Sequence, residues 1–212
     1  KVGNNIANQG TLTLGKDVNL NDNFAKYAEA GNHINIFVVP LLKNGPVIHK
    51  IEYSLRSLNS LIKSIKFSKN KYSNINFKMI IVDDKSKKEN FEKIEKLVNK
   101  SNLDINIISV DHEKYINKIK PQKTHQTFSN LASLLQCFEL GKKYGEDLIY
   151  FVEDDYLHFE SMLEEMIASY ERIASQVNRD IFMCPADYPY LYMNNQKSNI
   201  IIGNKRHWRT IN

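Results

Sequence analysis

The sequence predicts an α/β protein built on a mostly parallel β-sheet covered by helices. Short apolar runs typical of strands alternate with longer segments whose apolar residues recur at helical spacing, from Ile34 to Cys184 and without an internal repeat. Two of the strand-like runs end in clusters of acidic residues. At 212 residues the chain is long enough for one such domain, since domains commonly reach about 250 residues.

The predicted elements follow in a regular order. Residues 1–33 are polar and rich in Asn and Gly, so we expect a tail or linker, with a short helix around Asn23–Ala30 as one option. The domain is then expected to span residues 34–212, as a trimmed piece of a longer protein, because the chain begins at Lys1 without a methionine. Ser86, three residues before Glu89, predicts a capping box for one helix. The predicted strands are Ile34–Val39, Phe77–Val82, Ile105–Val110, Leu148–Val152 and Ile181–Cys184, and a turn through Gly203 and Asn204 predicts a last β segment on each side of it.

Composition and charge narrow the function classes. Cys137 and Cys184 both sit in apolar runs, which indicates buried free thiols rather than a disulfide scaffold or a zinc site. The net charge of +5 is unevenly distributed: residues 43–123 hold 18 Lys or Arg against 9 Asp or Glu, whereas residues 146–193 hold 2 against 11. This asymmetry suits a site that holds a cation and an anion together, and it argues against nucleic acid as a partner.

No apolar run approaches the roughly 20 residues of a membrane span, and no signal peptide precedes the domain. We therefore expect a cytoplasmic protein. Lysines along the first helix could meet anionic lipid at the inner face of a membrane, although a solvated helix face is the more common meaning of such a run.

The most informative segment is Phe151-Val152-Glu153-Asp154-Asp155. Adjacent carboxylates at a strand end repel one another and resist desolvation, so this arrangement is costly without a partner. A divalent cation that keeps open coordination positions is such a partner, and it can hold a diphosphate. The alternative is an acidic loop in which Asp154 or Asp155 caps a helix starting near Phe159.

A second acidic pair, Asp83-Asp84, directly follows another predicted strand. In a parallel sheet the two acidic ends could lie side by side, one contacting a nucleotide and the other a metal ion. The carboxylate of Asp84 can accept a hydrogen bond from a base or from a ribose hydroxyl. The alternative is that one of the two aspartates caps the following helix.

Together these motifs resemble a glycosyltransferase of the GT-A fold. Val82-Asp83-Asp84-Lys85-Ser86 is similar to a motif of the family 2 enzymes, and the Glu153-Asp154-Asp155 segment is similar to the metal motif of the N-acetylglucosaminyltransferase I family. The resemblance covers residues 34–192 and rests mainly on the order and spacing of the motifs. It implies a three-layer α/β/α sandwich of Rossmann-like type that transfers a hexosyl or N-acetylhexosaminyl group.

The resemblance also implies roles for individual residues. Asp155 would bind Mn²⁺ or Mg²⁺ directly, while Glu153 and Asp154 would support the metal or touch the ribose and sugar. Asp84 would contact the base of a UDP- or GDP-linked donor. The rest of the donor site would comprise Asp83, Asn130 and the backbone around Val39, Pro40 and Leu41.

The sequence departs from the family 2 pattern at two places. Ser129 stands where an arginine often precedes the asparagine, and Leu42-Lys43-Asn44 replaces the usual Tyr-Asn pair after the first strand.

Three further residues are candidates for the chemistry of such a site. Asp187, in a loop rich in proline and tyrosine, is the candidate base that takes the proton from the acceptor hydroxyl of a glycan, lipid-linked or protein acceptor. Arg209 could contact the diphosphate, and His207 could be a metal ligand. If both lie on a β segment, they share one face while Trp208 points to the other.

Two other function classes stay open. A sugar nucleotidyltransferase can use a related sheet and metal, but it normally has a glycine-rich phosphate loop, and residues 40–46 contain a single glycine, Gly45. A non-catalytic nucleotide- or sugar-binding domain of the same fold would show no metal-dependent binding of a nucleoside diphosphate.

Overall fold

A computed structural model of the chain describes residues 5–7, 11–14, 33–39, 50–120, 124–185 and 199–210. The chain divides into two compact units. Residues 31–160 form one, here named the parallel unit, and residues 1–30 with 161–212 form the other, the antiparallel unit. In chain order the elements are β1 (Asn5–Ala7), β2 (Thr11–Leu14), β3 (His33–Val39), α1 (Lys50–Lys71), β4 (Asn76–Asp83), α2 (Lys88–Ser101), β5 (Asp104–Ser109), α3 (His112–Tyr115), α4 (His125–Tyr144), β6 (Leu148–Glu153), α5 (Met162–Val177), β7 (Ile181–Cys184), β8 (Ile200–Ile202) and β9 (His207–Thr210).

The parallel unit contains a four-stranded sheet in the order β5-β4-β3-β6. Each neighbouring pair of strands in it runs parallel. The helices lie between these strands in sequence, as parallel pairing requires a crossover connection. The prediction of a mixed α/β protein with a parallel sheet is therefore confirmed.

Strand β4 is the buried centre of this unit. Ile80 and Val82 belong to one apolar cluster with Ala132 and Cys137 of α4, while α1 also contacts β4. Met79 is almost fully buried as well, so side chains of both alternating sets on β4 are shielded from water. This two-sided burial explains why residues 79–82 of β4 are all apolar rather than alternating with polar residues.

Helix α1 forms as its apolar periodicity predicts. Its apolar stripe is buried through Leu58, Leu61, Ile62 and Ile65, which recur at the spacing of one helix face. The lysines Lys63, Lys66 and Lys69 are exposed on the same helix.

The predicted capping box at Ser86 is wrong. Helix α2 begins at Lys88, its N-cap is Lys87, and no side chain makes a capping hydrogen bond there. The backbone N–H of Ser86 instead donates to the Asp83 carboxylate at 3.2 Å. The turn after β4 is therefore closed by Asp83 before the helix starts.

The antiparallel unit contains a five-stranded sheet in the order β7-β2-β1-β9-β8. Its strand pairs are antiparallel, and β1 and β2 come from the segment that we expected to be a tail or linker. The predicted strand at Ile181–Cys184 exists, but it pairs with β2 rather than joining the parallel sheet. The expected short helix around residues 23–30 lies outside the described residues.

The hairpin predicted near the end of the chain is present. Strands β8 and β9 pair antiparallel around residues 203–206. Trp208 is buried in a cluster with Ile173, Ala174 and Ile181, and its indole N–H donates to Ser169 Oγ at 2.9 Å. Helix α5 and the hairpin thus share one apolar core.

Both cysteines are free thiols, as predicted. Cys137 is buried, whereas Cys184 is only half-buried. Across the part of the chain that the structure describes, no helix combines the length and apolar character needed to cross a membrane.

Candidate active site

The two acidic strand ends lie at the same edge of the parallel sheet. Val38 of β3 is level with Ile81 of β4 on one side and with Val152 of β6 on the other. Asp84 and Asp155 each come three residues after these level positions. Since one strand separates β4 from β6, the level positions Ile81 and Val152 are roughly 10 Å apart, at two strand spacings of about 4.8 Å.

The turn after β4 has an unusual backbone. Lys85 adopts a left-handed conformation with φ 55°, which a side chain with a Cβ takes up at a cost of about 1 kcal/mol. The Asp83 carboxylate closes this turn by accepting from Ser86 N–H, and the Asp83 carbonyl accepts from Val110 N–H at 2.9 Å. The reversal at Lys85 directly follows Asp84 and fixes the direction in which the chain leaves that residue.

Asp84 does not cap helix α2. Its side chain is buried, and its Oδ1 pairs with His112 Nε2 at 2.7 Å. Its Oδ2 is also buried and has no hydrogen-bond partner among the residues that the structure describes. A buried polar atom without a partner costs about 1–3 kcal/mol, so this arrangement favours a ligand-binding role over a purely structural one.

Ser129 completes the immediate surroundings of His112. Its Oγ lies 3.5 Å from His112 Nε2, the same nitrogen that contacts Asp84. In a catalytic triad the serine and the aspartate contact different nitrogens of the histidine ring. The Ser129, His112 and Asp84 side chains therefore do not form a proton relay to a serine nucleophile.

His112 is the first residue of the short helix α3. This helix is held by Asp111, whose carboxylate accepts from Lys114 N–H at 3.1 Å and whose own N–H donates to Gln136 Oε1 at 2.9 Å. The Gln136 amide group in turn donates to the Ser109 carbonyl at 2.8 Å. Residues of β5 and α4 thus place the imidazole beside Asp84.

The three acidic residues at the end of β6, Glu153, Asp154 and Asp155, differ in their surroundings. Asp154 accepts a hydrogen bond from Ser54 Oγ of helix α1 at 2.5 Å, while Glu153 and Asp155 are exposed. The pKa of Glu153 is raised above its ordinary value, first because the protein removes part of the water around its carboxyl group and then by the negative charges of Asp155 and Asp154. A cation near Glu153 would therefore relieve repulsion between like charges.

The turn that follows the acidic cluster is fastened by His158. Its backbone N–H donates to Ser60 Oγ at 2.9 Å, and its ring lies within hydrogen-bonding distance of Ser60 Oγ at 3.3 Å and Tyr150 OH at 3.2 Å. Burial lowers the pKa of His158 to about 4, so the ring is neutral at pH 7. These contacts of His158 connect α1, β6 and the turn after the acidic residues.

The alternative in which Asp154 or Asp155 caps the next helix is not what the structure has. Helix α5 begins at Met162, its N-cap is Ser161, and no side chain makes a capping hydrogen bond. The two aspartates precede that N-cap by at least six residues.

Within the described ranges, no group of three or more His, Cys, Asp or Glu side chains could hold a metal ion by itself. Mg²⁺ sites in nucleotide-using enzymes commonly take one or two protein carboxylates and complete the shell with substrate phosphates and water. Glu153 and Asp155 would be the residues to supply that smaller ligand set, because both carboxylates are exposed and lie at the same strand end.

The other predicted site residues are distributed as follows. Val39 ends β3, between the two acidic strand ends, and Asn130 is half-buried on α4, next to Ser129. His207 and Arg209 lie on β9 of the antiparallel unit, where His207 is exposed and Trp208 between them is buried, as the alternation predicted. Pro40, Leu41 and the candidate base Asp187 lie outside the described residues.

Sequence reasoning missed the residues that contact Asp84 and Asp154. His112 and Ser129 beside Asp84, and Ser54 and His158 at the β6 end, come from distant parts of the chain. The local spacing of these residues in the sequence gave no sign of the pairings. The N-cap residue Asp111 before His112 was the local signal that a short helix starts there.

No protein-family model, curated protein or solved structure matches the chain.

Proposed function

We propose that this chain is a metal-dependent glycosyltransferase that moves a sugar from a nucleoside-diphosphate sugar to a hydroxyl group. The observation that carries the proposal is the placement of Asp84 and Asp155 at one edge of the parallel sheet, just after the two strands that flank β3. Ligands of parallel sheets bind outside the carboxyl ends of the strands. The GT-A arrangement of three layers is part of the same proposal.

The distance between the two acidic ends suits the donor. A nucleoside diphosphate has its base at one end and its charged phosphates at the other, with the ribose between them. The separation of roughly 10 Å that follows from two strand spacings lets a buried carboxylate meet the base while the exposed acidic cluster lies near the phosphates. Val39 at the end of the middle strand would lie below the ribose.

The acidic residues at the two strand ends would have different roles, because Asp84 is buried and Asp155 is exposed. Asp84 is shielded from water, which strengthens a hydrogen bond to a base and makes the contact selective. Asp155, with support from Glu153, would hold Mn²⁺ or Mg²⁺, which as a Lewis acid stabilises charge on the departing nucleoside diphosphate. Asp154 is held by Ser54 and would orient the cluster rather than bind the metal.

Asp187 stays the proposed base for the acceptor hydroxyl in an inverting reaction. We expect Asp187→Asn to abolish turnover, followed as release of nucleoside diphosphate, and to leave donor affinity unchanged. Normal turnover in this variant would remove Asp187 from the mechanism.

The test of the proposal is isothermal titration of UDP and GDP into the purified chain, with and without Mn²⁺. We expect binding that requires the metal, and we expect Asp155→Ala to abolish the metal dependence while the chain stays folded. Asp104→Ala is the matched control, since Asp104 is exposed and begins β5 at the opposite edge of the same sheet. Equal affinity and equal metal dependence in the wild-type and Asp155→Ala chains would refute the assignment.

The same titrations separate the two rival classes. A non-catalytic sugar-binding domain would bind no nucleoside diphosphate in a metal-dependent way. A sugar nucleotidyltransferase would bind nucleoside triphosphate and sugar phosphate, and would release pyrophosphate when given both.

A further inference from the structure

We propose that His112 sets the nucleotide specificity of this site, by occupying one oxygen of Asp84 so that a single acceptor is left for the base. This inference rests on the proposed function. It predicts that the site prefers a base with one ring N–H donor, as uracil has, over guanine. The residue acts on the base through Asp84, so it is a positioning residue.

The geometry that supports this begins with the two oxygens of Asp84. Oδ1 lies 2.7 Å from His112 Nε2, whereas Oδ2 is buried and no group in the described part of the chain bonds to it. The relative exposure of the two side chains is 13% for His112 and 4% for Asp84, so the pair is shielded from solvent. A hydrogen-bond donor on a ligand that reaches the turn after β4 can satisfy Oδ2.

Guanine and uracil differ in the number of N–H groups that they can offer to a carboxylate. Guanine presents N1–H and the N2 amino group side by side, which match both oxygens of one carboxylate. Uracil presents only N3–H between two carbonyl groups, which matches one oxygen. With Oδ1 engaged by the imidazole, guanine would bury a donor without a partner, and buried unpaired donors are what make polar sites selective.

His112 cannot easily turn away from Asp84. The ring is packed edge-on against Phe128, with centroids 5.7 Å apart, and helix α3 is fixed through Asp111. Its Nε2 also faces Ser129 Oγ at 3.5 Å. The imidazole is therefore held in the orientation that keeps Oδ1 occupied.

Thymine has the same N3–H as uracil, so the base contact alone treats the two alike. The titrations therefore include UDP, dTDP and GDP, each with Mn²⁺. We expect UDP and dTDP to bind about tenfold or more tightly than GDP, since the loss of one hydrogen bond to a charged group is worth at least a factor of that size. A difference between UDP and dTDP would report on the ribose 2′-hydroxyl instead.

The decisive variant is His112→Ala, which frees Oδ1. We expect the preference for UDP over GDP to fall by about tenfold, because Asp84 then offers two acceptors. A purely structural role would weaken both nucleotides equally and leave the ratio unchanged. His112→Gln keeps an N–H donor near the position of Nε2, and should restore the preference.

His125→Ala is the matched control. The His125 ring lies 5.9 Å from the His112 ring, and His125 is exposed. This variant should keep the wild-type ratio. Should His112→Ala fail to fold, the wild-type and His112→Gln ratios carry the test.

The outcomes separate the inference from the function on which it rests. If GDP binds as tightly as UDP to the wild-type chain, or if His112→Ala keeps the wild-type ratio, the role of His112 is refuted while the glycosyltransferase proposal stands. If no nucleoside diphosphate binds at all, the proposed function is refuted and the inference with it.

Discussion

Acidification should destabilise the parallel unit through His158, the residue that fastens the turn after the acidic cluster. Burial lowers the pKa of this imidazole from 6.5 to about 4. Because the folded-state pKa lies below the value in the unfolded chain, the unfolded chain takes up the proton first as the pH falls. The contribution of His158 is fully present above about pH 7 and is lost between roughly pH 6.5 and 4.

The size of the effect follows from the two pKa values. Between pH 7.5 and pH 5, protonation favours the unfolded chain by about 2 kcal/mol, since at pH 5 most unfolded and few folded chains carry the charge. The assay is urea unfolding followed by circular dichroism at a series of pH values in that range. His158→Gln removes the titrating group while keeping polar atoms beside Ser60 and Tyr150.

We expect the free energy of unfolding to depend more steeply on pH in the wild-type chain than in His158→Gln. Wild-type free energy of unfolding should fall by about 2 kcal/mol more than that of His158→Gln over the range. Parallel curves for the two proteins would show that His158 is not buried and neutral in the folded chain. The hydrogen bonds that His158 makes to Ser60 and Tyr150 would then not hold the turn in solution.

Three further predictions concern single positions. Lys85→Gly should raise the free energy of unfolding by about 0.5–1 kcal/mol in urea titrations, because glycine adopts the left-handed φ of 55° without steric cost, and a loss of stability would contradict this conformation. Cys137 should resist alkylation at pH 8 in a Cys184→Ala background until the chain is unfolded, because burial raises the pKa of its thiol to about 12, and rapid labelling of the native chain would refute its burial. Gly145→Ala should destabilise the chain by about 1–3 kcal/mol in the same titrations, because the added Cβ would lie 2.3 Å from Ile149 Cδ1 and 2.6 Å from a backbone oxygen, and an unchanged stability would show that this contact relaxes freely.

The elements that apolar periodicity defines were predictable from the sequence. Helix α1 and strand β4 carry their own signals, since the apolar stripe of one and the continuous apolar run of the other depend only on local spacing. The hairpin of β8 and β9 was predictable for the same reason, from the turn at Gly203 and Asn204 between two β-type segments. The carboxyl-edge position of Asp84 and Asp155 followed from the order of the elements.

Pairings between distant segments were not predictable. Strand β7 looks like another member of the parallel sheet, but the strand that pairs with it, β2, lies in a polar segment with weak periodicity. Likewise the contacts of Asp84 with His112 and of Asp154 with Ser54 join residues 28 and 100 positions apart. No local pattern encodes them, because such contacts depend on how the elements pack.

The capping expectation failed for a related reason. Ser86 and Glu89 have the spacing of a capping box, but the nearby Asp83 carboxylate binds the Ser86 N–H first. With Lys85 in the left-handed region the chain reverses before the helix, and α2 starts two residues after Ser86. A strand-to-helix turn that positions Asp84 has replaced the ordinary helix start.

Several energetically unfavourable features lie at the carboxyl edge of the parallel sheet, and they favour a ligand-binding role for it over a purely structural one. The edge combines a non-glycine residue at positive φ, a buried carboxylate oxygen without a partner among the described residues, and a glutamate whose pKa is raised first by partial desolvation and then by its acidic neighbours. The other non-glycine residues at positive φ in the described part of the chain, Asn102 and Asn178, are C-caps, where this conformation is ordinary for asparagine. Strain of this kind persists where the surrounding structure enforces it, and functional sites are where it concentrates. Relief at Lys85 should therefore stabilise the chain and weaken the proposed nucleotide binding together, since the same strained turn also orients Asp84, the proposed contact for the base.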